Sequence, residues 1–373
     1  MRYDVFEAPA IAYSDDRGRT WEKLNTHVPL IDPAPSGQLK DVKIFWHKPD
    51  KKWIMVSTSD VLRIFSSPNL LEWTPESDIV GVRSSCPDLF ELPIDNDNSN
   101  TKWVLSLAGR SYHLGSFDGH EFKVETPAIP MNHGPDAFAS QTWSDTPDGR
   151  RIILDWMMNW SYARRLDIIP TRPWNGAMSL PRSLSLKTTS HGLRLFQNPI
   201  EDISQLHTES SVYENLQISA NRVFKPDLTG TCVDIEAEIE LRGKTIFGIH
   251  IAESNRTKYV FNHSSHDIDG ERTTISYDLS KNKLNLDRRT SGTIYDKDFA
   301  SEYSCTLVPQ KDRITLRILL DWSSVEVFAN NGELVLSALI FPTPFGGGIT
   351  IFVERGEILI HQLKIHKIRS VWD

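Results

Sequence analysis

The feature that most limits the fold is an internal repeat in the first half of the chain. Three segments share one order, a short strand, a turn-forming loop and a second strand with an aromatic or β-branched residue: 44–56, 89–105 and 141–154. Fifty residues separate Trp53 from Trp103, and 49 separate Trp103 from Ile152. A period of about 45–50 residues built of strands and turns is typical of a β-propeller, in which each blade is one four-stranded sheet.

A second landmark recurs with the same period. Turn-forming residues lead to an aromatic residue in the segments 14–21, 66–73 and 115–122. A β-sandwich also contains hairpins, but it does not keep two landmarks in one register, so the propeller is favoured. The tryptophans that recur with the blades are predicted to pack inside them: Trp21, Trp53, Trp73 and Trp103.

The repeat ends near residue 193, and a second domain follows. A polar stretch with some helical character, 201–215, interrupts the strands. We predict a propeller domain at 1–198, a linker at 199–216 and a second domain at 217–373.

The second domain is predicted to be a β-sandwich. From Val233 to Leu241 apolar and charged residues alternate, which is the period of a half-buried strand. Asn330-Asn331-Gly332 predicts a hairpin turn, because Asn and Gly tolerate positive φ. Several such strands separated by turns are typical of two packed sheets.

Composition narrows the classes of ligand and partner. The net charge is −8 and no long basic run occurs, so neither nucleic acid nor an anionic membrane is expected as a partner. Scattered histidines without paired spacing predict no metal site. The three cysteines are too few for a disulfide framework, although Cys232 and Cys305 could pair. A neutral or polar small molecule is the expected ligand.

The ends and the hydropathy of the chain bear on its location. Residues 1–7 contain no apolar stretch of the kind that a signal peptide requires, and no run approaches 18 apolar residues. As written, the chain is expected to be cytoplasmic. It would be secreted if the true N-terminus lay upstream.

Several segments resemble glycoside hydrolase family 32, the β-fructosidase group of invertases, inulinases and levanases. The sandwich segment 320–333 reads LDWSSVEVFANNGE, and 155–163 and 174–182 read DWMMNWSYA and WNGAMSLPR. These segments follow the family's order, and the resemblance covers nearly the whole chain. It implies a five-bladed propeller joined to a β-sandwich. It also implies action on β-linked fructosyl residues with retention, without a metal or an organic cofactor.

The resemblance also assigns positions in the catalytic centre. In the family a nucleophilic Asp lies in W-M-N-D-P-N-G, a stabilising Asp in R-D-P, and an acid/base Glu directly before C-P-D. Lys40-Asp41-Val42 matches the second motif, which implies that Asp41 stabilises the transition state and that Lys40 contacts the sugar. Ser85 stands at the acid/base position, before Cys86. The first motif does not occur, and we expect the first blade to be incomplete.

This pattern predicts impaired hydrolysis. Retaining glycosidases need two carboxyl groups about 5–5.5 Å apart, and the hydroxyl of Ser85 has no useful acidity near neutral pH. Rescue by Asp88 or Glu91 is the alternative. Asp88 either caps the turn after Pro87 or accepts a sugar hydroxyl. Trp156 belongs either to the core or to the floor of the sugar pocket, where its ring would cover sugar C–H groups.

Three hypotheses therefore stand for function. The chain is a hydrolase of β-fructosides or of a related glycoside, or a pseudoenzyme that binds a sugar without cleaving it, or part of a hydrolase whose true start lies upstream. All three predict a carbohydrate ligand held at Asp41. The sequence does not predict the oligomeric state.

Overall fold

The computed structural model describes residues 9–24, 39–165, 169–254, 259–261, 264–266, 270–343 and 346–372. The chain forms two compact units. The first is Met1–Pro130 with Ala139–Arg151, and the second is Met131–Phe138 with Ile152–Asp373. The described residues lie almost entirely in strands and turns, which confirms the predicted all-β class.

The first unit repeats a simple antiparallel pattern. A hairpin of β1 and β2 comes first, then β3 to β6 form a sheet in sequence order, and β7 to β10 pair in the same order. Two successive four-stranded meanders are the blades that the 50-residue period predicts. The strands are β1 (Ala12–Tyr13), β2 (Glu22–Lys23), β3 (Lys40–His47), β4 (Lys52–Thr58), β5 (Leu62–Ser67), β6 (Thr74–Ile79), β7 (Pro87–Ile94), β8 (Asp97–Leu107), β9 (Ser111–Phe117), β10 (Phe122–Val124) and β11 (Ile129–Pro130). A further strand, β12 (Phe138–Trp143), starts in the second unit and continues in the first.

Apolar residues of alternate positions form the core of these blades. Buried side chains of both sheets pack together, among them Ile54, Ile64 and Leu105. Of the four tryptophans predicted to pack, Trp53, Trp73 and Trp103 are half-buried. The prediction for Trp21 is wrong, because its side chain is 64% exposed.

The second unit contains the remaining strands and a short 3-10 helix, Glu201–Leu206. The strands are β13 (Ile152–Met157), β14 (Ala177–Met178), β15 (Arg182–Thr189), β16 (Gly192–Pro199), β17 (His207–Ser219), β18 (Arg222–Phe224), β19 (Val233–Ser254), β20 (Tyr259–Phe261), β21 (Ser264–His266), β22 (Glu271–Asp278), β23 (Lys283–Asp287), β24 (Glu302–Thr306), β25 (Arg313–Asp321), β26 (Ser324–Ala329), β27 (Leu334–Leu339) and β28 (Gly348–Ile368).

Two long strands organise the C-terminal part of this unit. The first half of β19 pairs with β25 and its second half with β22, while β28 pairs along both halves. The register shifts between Arg242 and Ile246, where β19 changes partner. Alternate residues of β19, such as Ile235 and Ile239, enter one large apolar core, as the alternation predicted.

The stretch predicted as a linker contains two kinds of structure. Its first residues form the 3-10 helix, and β17 follows directly and pairs with β28. The helical character thus ends at Leu206. The domain boundaries at 198 and 217 stay a prediction.

A buried cluster of charges lies in the second unit. The carboxylate of Asp136 and the guanidinium of Arg288 are both 0% exposed and form an ion pair. The hydroxyl of Tyr162 donates a hydrogen bond to Asp136, and the backbone N–H of Leu339 donates another at 2.8 Å. Buried charges persist only when they are paired and hydrogen-bonded in this way.

The cysteines form no disulfide. Cys86 and Cys232 are half-buried free thiols, and Cys305 is a buried one, so the pairing considered for Cys232 and Cys305 is wrong. Within the described ranges, no helix is long and apolar enough to span a membrane. Nor does that part of the chain contain a cluster of three or more His, Cys, Asp or Glu suited to a metal ion.

The predicted hairpin turn is confirmed, and its geometry requires a glycine at position 332. Asn330, Asn331 and Gly332 have φ values of 48°, 58° and 86°, and the turn joins β26 to β27. A Cβ at Gly332 would lie 2.2 Å from the carbonyl oxygen of Gln197. We expect Gly332→Ala to lower the free energy of unfolding by about 2–5 kcal/mol, measured by urea denaturation.

Gly243 supplies the matched control. It also has a positive φ, 71°, but a Cβ there would meet nothing within 4 Å. Gly243→Ala should therefore cost only the backbone strain, about 1–2 kcal/mol. Equal losses in the two variants would contradict the steric argument.

Candidate active site

Asp41 occupies an unusual backbone position at the start of β3. Its φ is +50°, and the pairing of β3 with β4 shifts register between Lys40 and Lys43. Such bulges redirect side chains and are frequent beside functional sites. The Asp41 carboxylate is exposed, yet its Oδ2 accepts a hydrogen bond from the backbone N–H of Cys86 at 3.2 Å. The fold thus presents an oriented carboxylate to solvent.

The same hydrogen bond places the segment that contains Ser85 next to Asp41. Ser85 immediately precedes Cys86, is half-buried and leads into β7. Cys86 also has a positive φ, 46°. Burial and the nearby Asp41 carboxylate raise the pKa of the Cys86 thiol, so the thiol stays protonated near neutral pH. The structure therefore brings together the two segments that the motifs singled out.

Asp88 lies behind this surface and not in it. Its side chain is buried, and its Oδ2 accepts hydrogen bonds from Lys43 Nζ at 3.1 Å and from the backbone N–H of Thr142 at 2.6 Å. Lys43 Nζ also donates to the carbonyl of Thr142 at 2.6 Å. This cluster joins β3, which carries Asp41, and β7, which follows Ser85, to β12. A role for Asp88 as a sugar ligand stays a prediction, as does its rescue of catalysis.

Sequence reasoning missed Lys43. It lies two residues after Asp41 at a buried position of β3, where its charge is paired with Asp88. A lysine at an inward-facing position of an amphipathic strand was the available signal, because such a residue needs a buried partner. Lys40, which the sequence did single out, is exposed next to Asp41.

Trp156 belongs to the second unit, on β13. Its ring is half-buried and packs at 4.9 Å from the ring of Trp160 and at 6.3 Å, edge to face, from Phe138. A Cβ at Gly176 would lie 2.8 Å from the indole nitrogen of Trp156, so only glycine allows this approach. Trp156 is therefore held in one orientation. Its role as a sugar platform stays a prediction.

The chemistry of the Asp41 site follows from these groups. A fixed, exposed carboxylate accepts hydrogen bonds from hydroxyl groups, and the Ser85 hydroxyl can donate or accept one. Ser85 cannot serve as a general acid, because that role needs a group with a pKa near the working pH. The arrangement suits recognition of a polyhydroxylated ligand better than proton transfer to it.

Comparison with known proteins identifies the class to which this fold and site belong. Residues 4–199 match the family model "Glycosyl hydrolases family 32 N-terminal domain", and residues 202–367 match "Glycosyl hydrolases family 32 C terminal". The chain belongs to glycoside hydrolase family 32. It has the β-propeller and β-sandwich fold of this family, as the sequence predicted.

Individual relatives agree with this assignment. The levanase of Bacillus subtilis (strain 168) is 33% identical over 98% of this chain and 55% of that protein. The exo-inulinase of Aspergillus awamori has a crystal structure with a TM-score of 0.83 and 30% identity, covering 98% of this chain and 75% of that one. The structure of a fructofuranosidase from Schwanniomyces occidentalis complexed with fructose gives a TM-score of 0.82 at 25% identity, over 97% and 76% of the two chains.

The chain is shorter than several of these relatives. It spans 55% of the Bacillus subtilis levanase and 42% of a levanase from Bacillus sp. (strain L7).

Proposed function

We propose that the chain recognises β-fructosides of the sucrose, inulin and levan type through Asp41 and hydrolyses them at a much reduced rate. The observation that carries this proposal is the exposed Asp41 carboxylate, fixed at positive φ by the N–H of Cys86. The relatives support the choice of ligand, since they are levanases, exo-inulinases and a fructofuranosidase complexed with fructose.

The proposed roles follow the geometry of each residue. Asp41 accepts hydrogen bonds from fructosyl hydroxyls and stabilises the positive charge that develops on the sugar ring. Lys40 donates to the sugar as a point charge and lacks the planar fork of an arginine. Asp88, through Lys43, keeps the strands of the site in place.

The reduced rate follows from two positions of the mechanism, since the motif of the nucleophilic Asp does not occur in the sequence and Ser85 stands at the acid/base position. In a retaining mechanism one carboxylate attacks the anomeric carbon, and a second carboxyl group protonates the departing glycosidic oxygen and then activates water. Ser85 stands where the family places this second group. Without general acid catalysis the leaving oxygen departs with its negative charge, which costs on the order of 10²–10⁴ in rate.

A second candidate function is sugar binding without cleavage. Ser85 favours this function because a serine cannot donate the proton that cleavage needs. Asp41 keeps its acceptor geometry whether or not a proton is transferred, so binding does not depend on Ser85. The two functions share the ligand and the Asp41 contact. They differ in fructose release.

The recognition step is tested with Asp41→Ala. We expect this variant to bind nystose, a neutral fructosyl oligosaccharide, roughly 10- to 100-fold more weakly in isothermal titration calorimetry, because hydrogen bonds to a charged group are lost. Asp60→Ala is the control, since Asp60 is another exposed acid of the first unit. Equal affinity of wild type and Asp41→Ala would contradict recognition through Asp41.

A further inference from the structure

The second unit contains a pocket that the proposed function does not use. Its volume is about 1010 Å³, at the upper limit of small-molecule sites. All lining residues belong to the second unit, whereas Asp41 and Ser85 belong to the first. The lining includes Trp322 and Trp372 together with Asp321.

Two exposed indoles line this one pocket. Trp322 lies in the turn between β25 and β26 and is 61% exposed, and Trp372 follows β28 and is 92% exposed. An indole offers a broad apolar face and a single N–H donor, and covering it removes a large apolar area from water. Two such faces beside polar groups are suited to a ligand that is itself apolar on its faces and polar at its edges.

Asp321 adds an oriented acceptor next to Trp322. Its Oδ1 accepts hydrogen bonds from the backbone N–H of Trp322 at 2.8 Å and from the Cys232 thiol at 3.2 Å. Burial, and to a smaller extent the Asp321 carboxylate, raises the pKa of the Cys232 thiol to about 12. The thiol therefore keeps the proton that it donates to Asp321. Within the described part of the chain Oδ2 of Asp321 accepts no hydrogen bond, and the carboxylate is exposed. The second oxygen is therefore a fixed acceptor for a ligand hydroxyl.

The exposed charges of the lining balance. One exposed acid, Asp321, and one exposed base, Arg369, line the pocket together with Lys367, while Glu326 is buried and burial raises its pKa. Lys367 donates to Glu209 at 2.9 Å, which lies outside the lining. Such a lining favours neither a strongly anionic nor a strongly cationic ligand. The remaining polar groups are hydroxyls, which both donate and accept: Ser179, Thr208, Thr229, Thr231, Ser324 and Ser370.

We propose that this pocket binds a neutral oligosaccharide, with sugar C–H faces against Trp322 and Trp372 and a sugar hydroxyl donating to Oδ2 of Asp321. Sugars combine apolar C–H faces with a rim of hydroxyls and carry no charge, which matches the lining. The pocket is an ancillary carbohydrate site. It rests on residues of the second unit alone and goes beyond the recognition proposed for Asp41.

The test uses the full chain with Asp41→Ala as background, so that failure at the Asp41 site and failure at the pocket are distinguishable. Nystose, maltotetraose and cellotetraose serve as neutral probes in isothermal titration calorimetry. We expect at least one of them to bind. Adding Trp322→Ala or Asp321→Asn should weaken that binding about tenfold, since each removes one aromatic contact or one acceptor.

Two further variants separate binding from structure. Trp322→Phe keeps an aromatic face and should lose less affinity than Trp322→Ala. Trp174→Ala is the matched control, because Trp174 is 64% exposed in the same unit and lies outside the lining. The proposal is overturned if none of the three probes binds, or if Trp322→Ala and Asp321→Asn bind as tightly as Trp174→Ala. The proposal would also be overturned if the pocket bound the aromatic anion 8-anilinonaphthalene-1-sulfonate and none of the three sugars.

Discussion

Replacing Arg288 with Met is expected to lower the free energy of unfolding by about 3–5 kcal/mol, the cost of leaving a buried charge unpaired. The Arg288 guanidinium donates to Asp136 at 2.5 Å, to the carbonyls of Phe299 and Leu339 at 2.7 and 2.9 Å, and to the hydroxyl of Tyr162 at 3.0 Å. Methionine fills much of the volume but donates nothing. The Asp136 carboxylate would then remain buried without its cation, and urea denaturation monitored by tryptophan fluorescence would report the loss.

The neighbouring residue is a matched control. Arg289 pairs with Asp287 and Glu302, but its side chain is 57% exposed, so Arg289→Met should change stability by at most about 1 kcal/mol. A double variant, Asp136→Leu with Arg288→Met, should lose less than the sum of the single losses, because no unpaired charge remains. If Arg288→Met were as stable as Arg289→Met, the buried pair would not stabilise the fold as argued.

The repeat predicted local structure better than it predicted burial. The indole N–H of Trp73 donates to the carbonyl of Leu70, and that of Trp21 donates to the carbonyl of Gly18, both at 3.0 Å. The two turns are thus alike, as the repeat predicted. Trp73 nevertheless packs against buried residues such as Met55, whereas Trp21 is exposed. Burial depends on neighbouring strands, which a turn motif does not specify.

The strand β17 escaped prediction for a related reason. Its residues are mostly exposed on both faces, so the sequence shows no clear alternation of apolar and polar side chains. Its conformation comes from backbone pairing with β28, which is far away in the chain. Pairing of this kind leaves little trace in side-chain patterns.

In the Asp41 site, too, features within short sequence segments were predicted, whereas contacts between distant residues were not. Resemblance to the family's motifs singled out Asp41 and Ser85, and the hydrogen bond from Cys86 brings their segments together. The buried contact of Lys43 with Thr142 joins residues 99 positions apart. No local pattern encodes such a partner. Sequence alone therefore singled out Asp41, Ser85 and Asp88 but missed Lys43 and the buried contacts that join their strands.

Hydrolysis by this chain is expected to be slow. We predict that it releases fructose from levan at least about 10²-fold more slowly than a family member with Glu at the position of Ser85, because general acid–base catalysis alone contributes on the order of 10²–10⁴. Recognition through Asp41 does not depend on this proton transfer, so nystose binding should persist while turnover is low.

The most direct test of this account is the rate of fructose release from sucrose, inulin and levan by the purified chain, beside Asp41→Ala and an active levanase as reference. We predict release at least about 100-fold below the reference on all three substrates. The contradicting result is release at the rate of the reference enzyme by the wild-type chain and no release by Asp41→Ala. A pair of carboxylates other than the positions named above would then be catalysing hydrolysis.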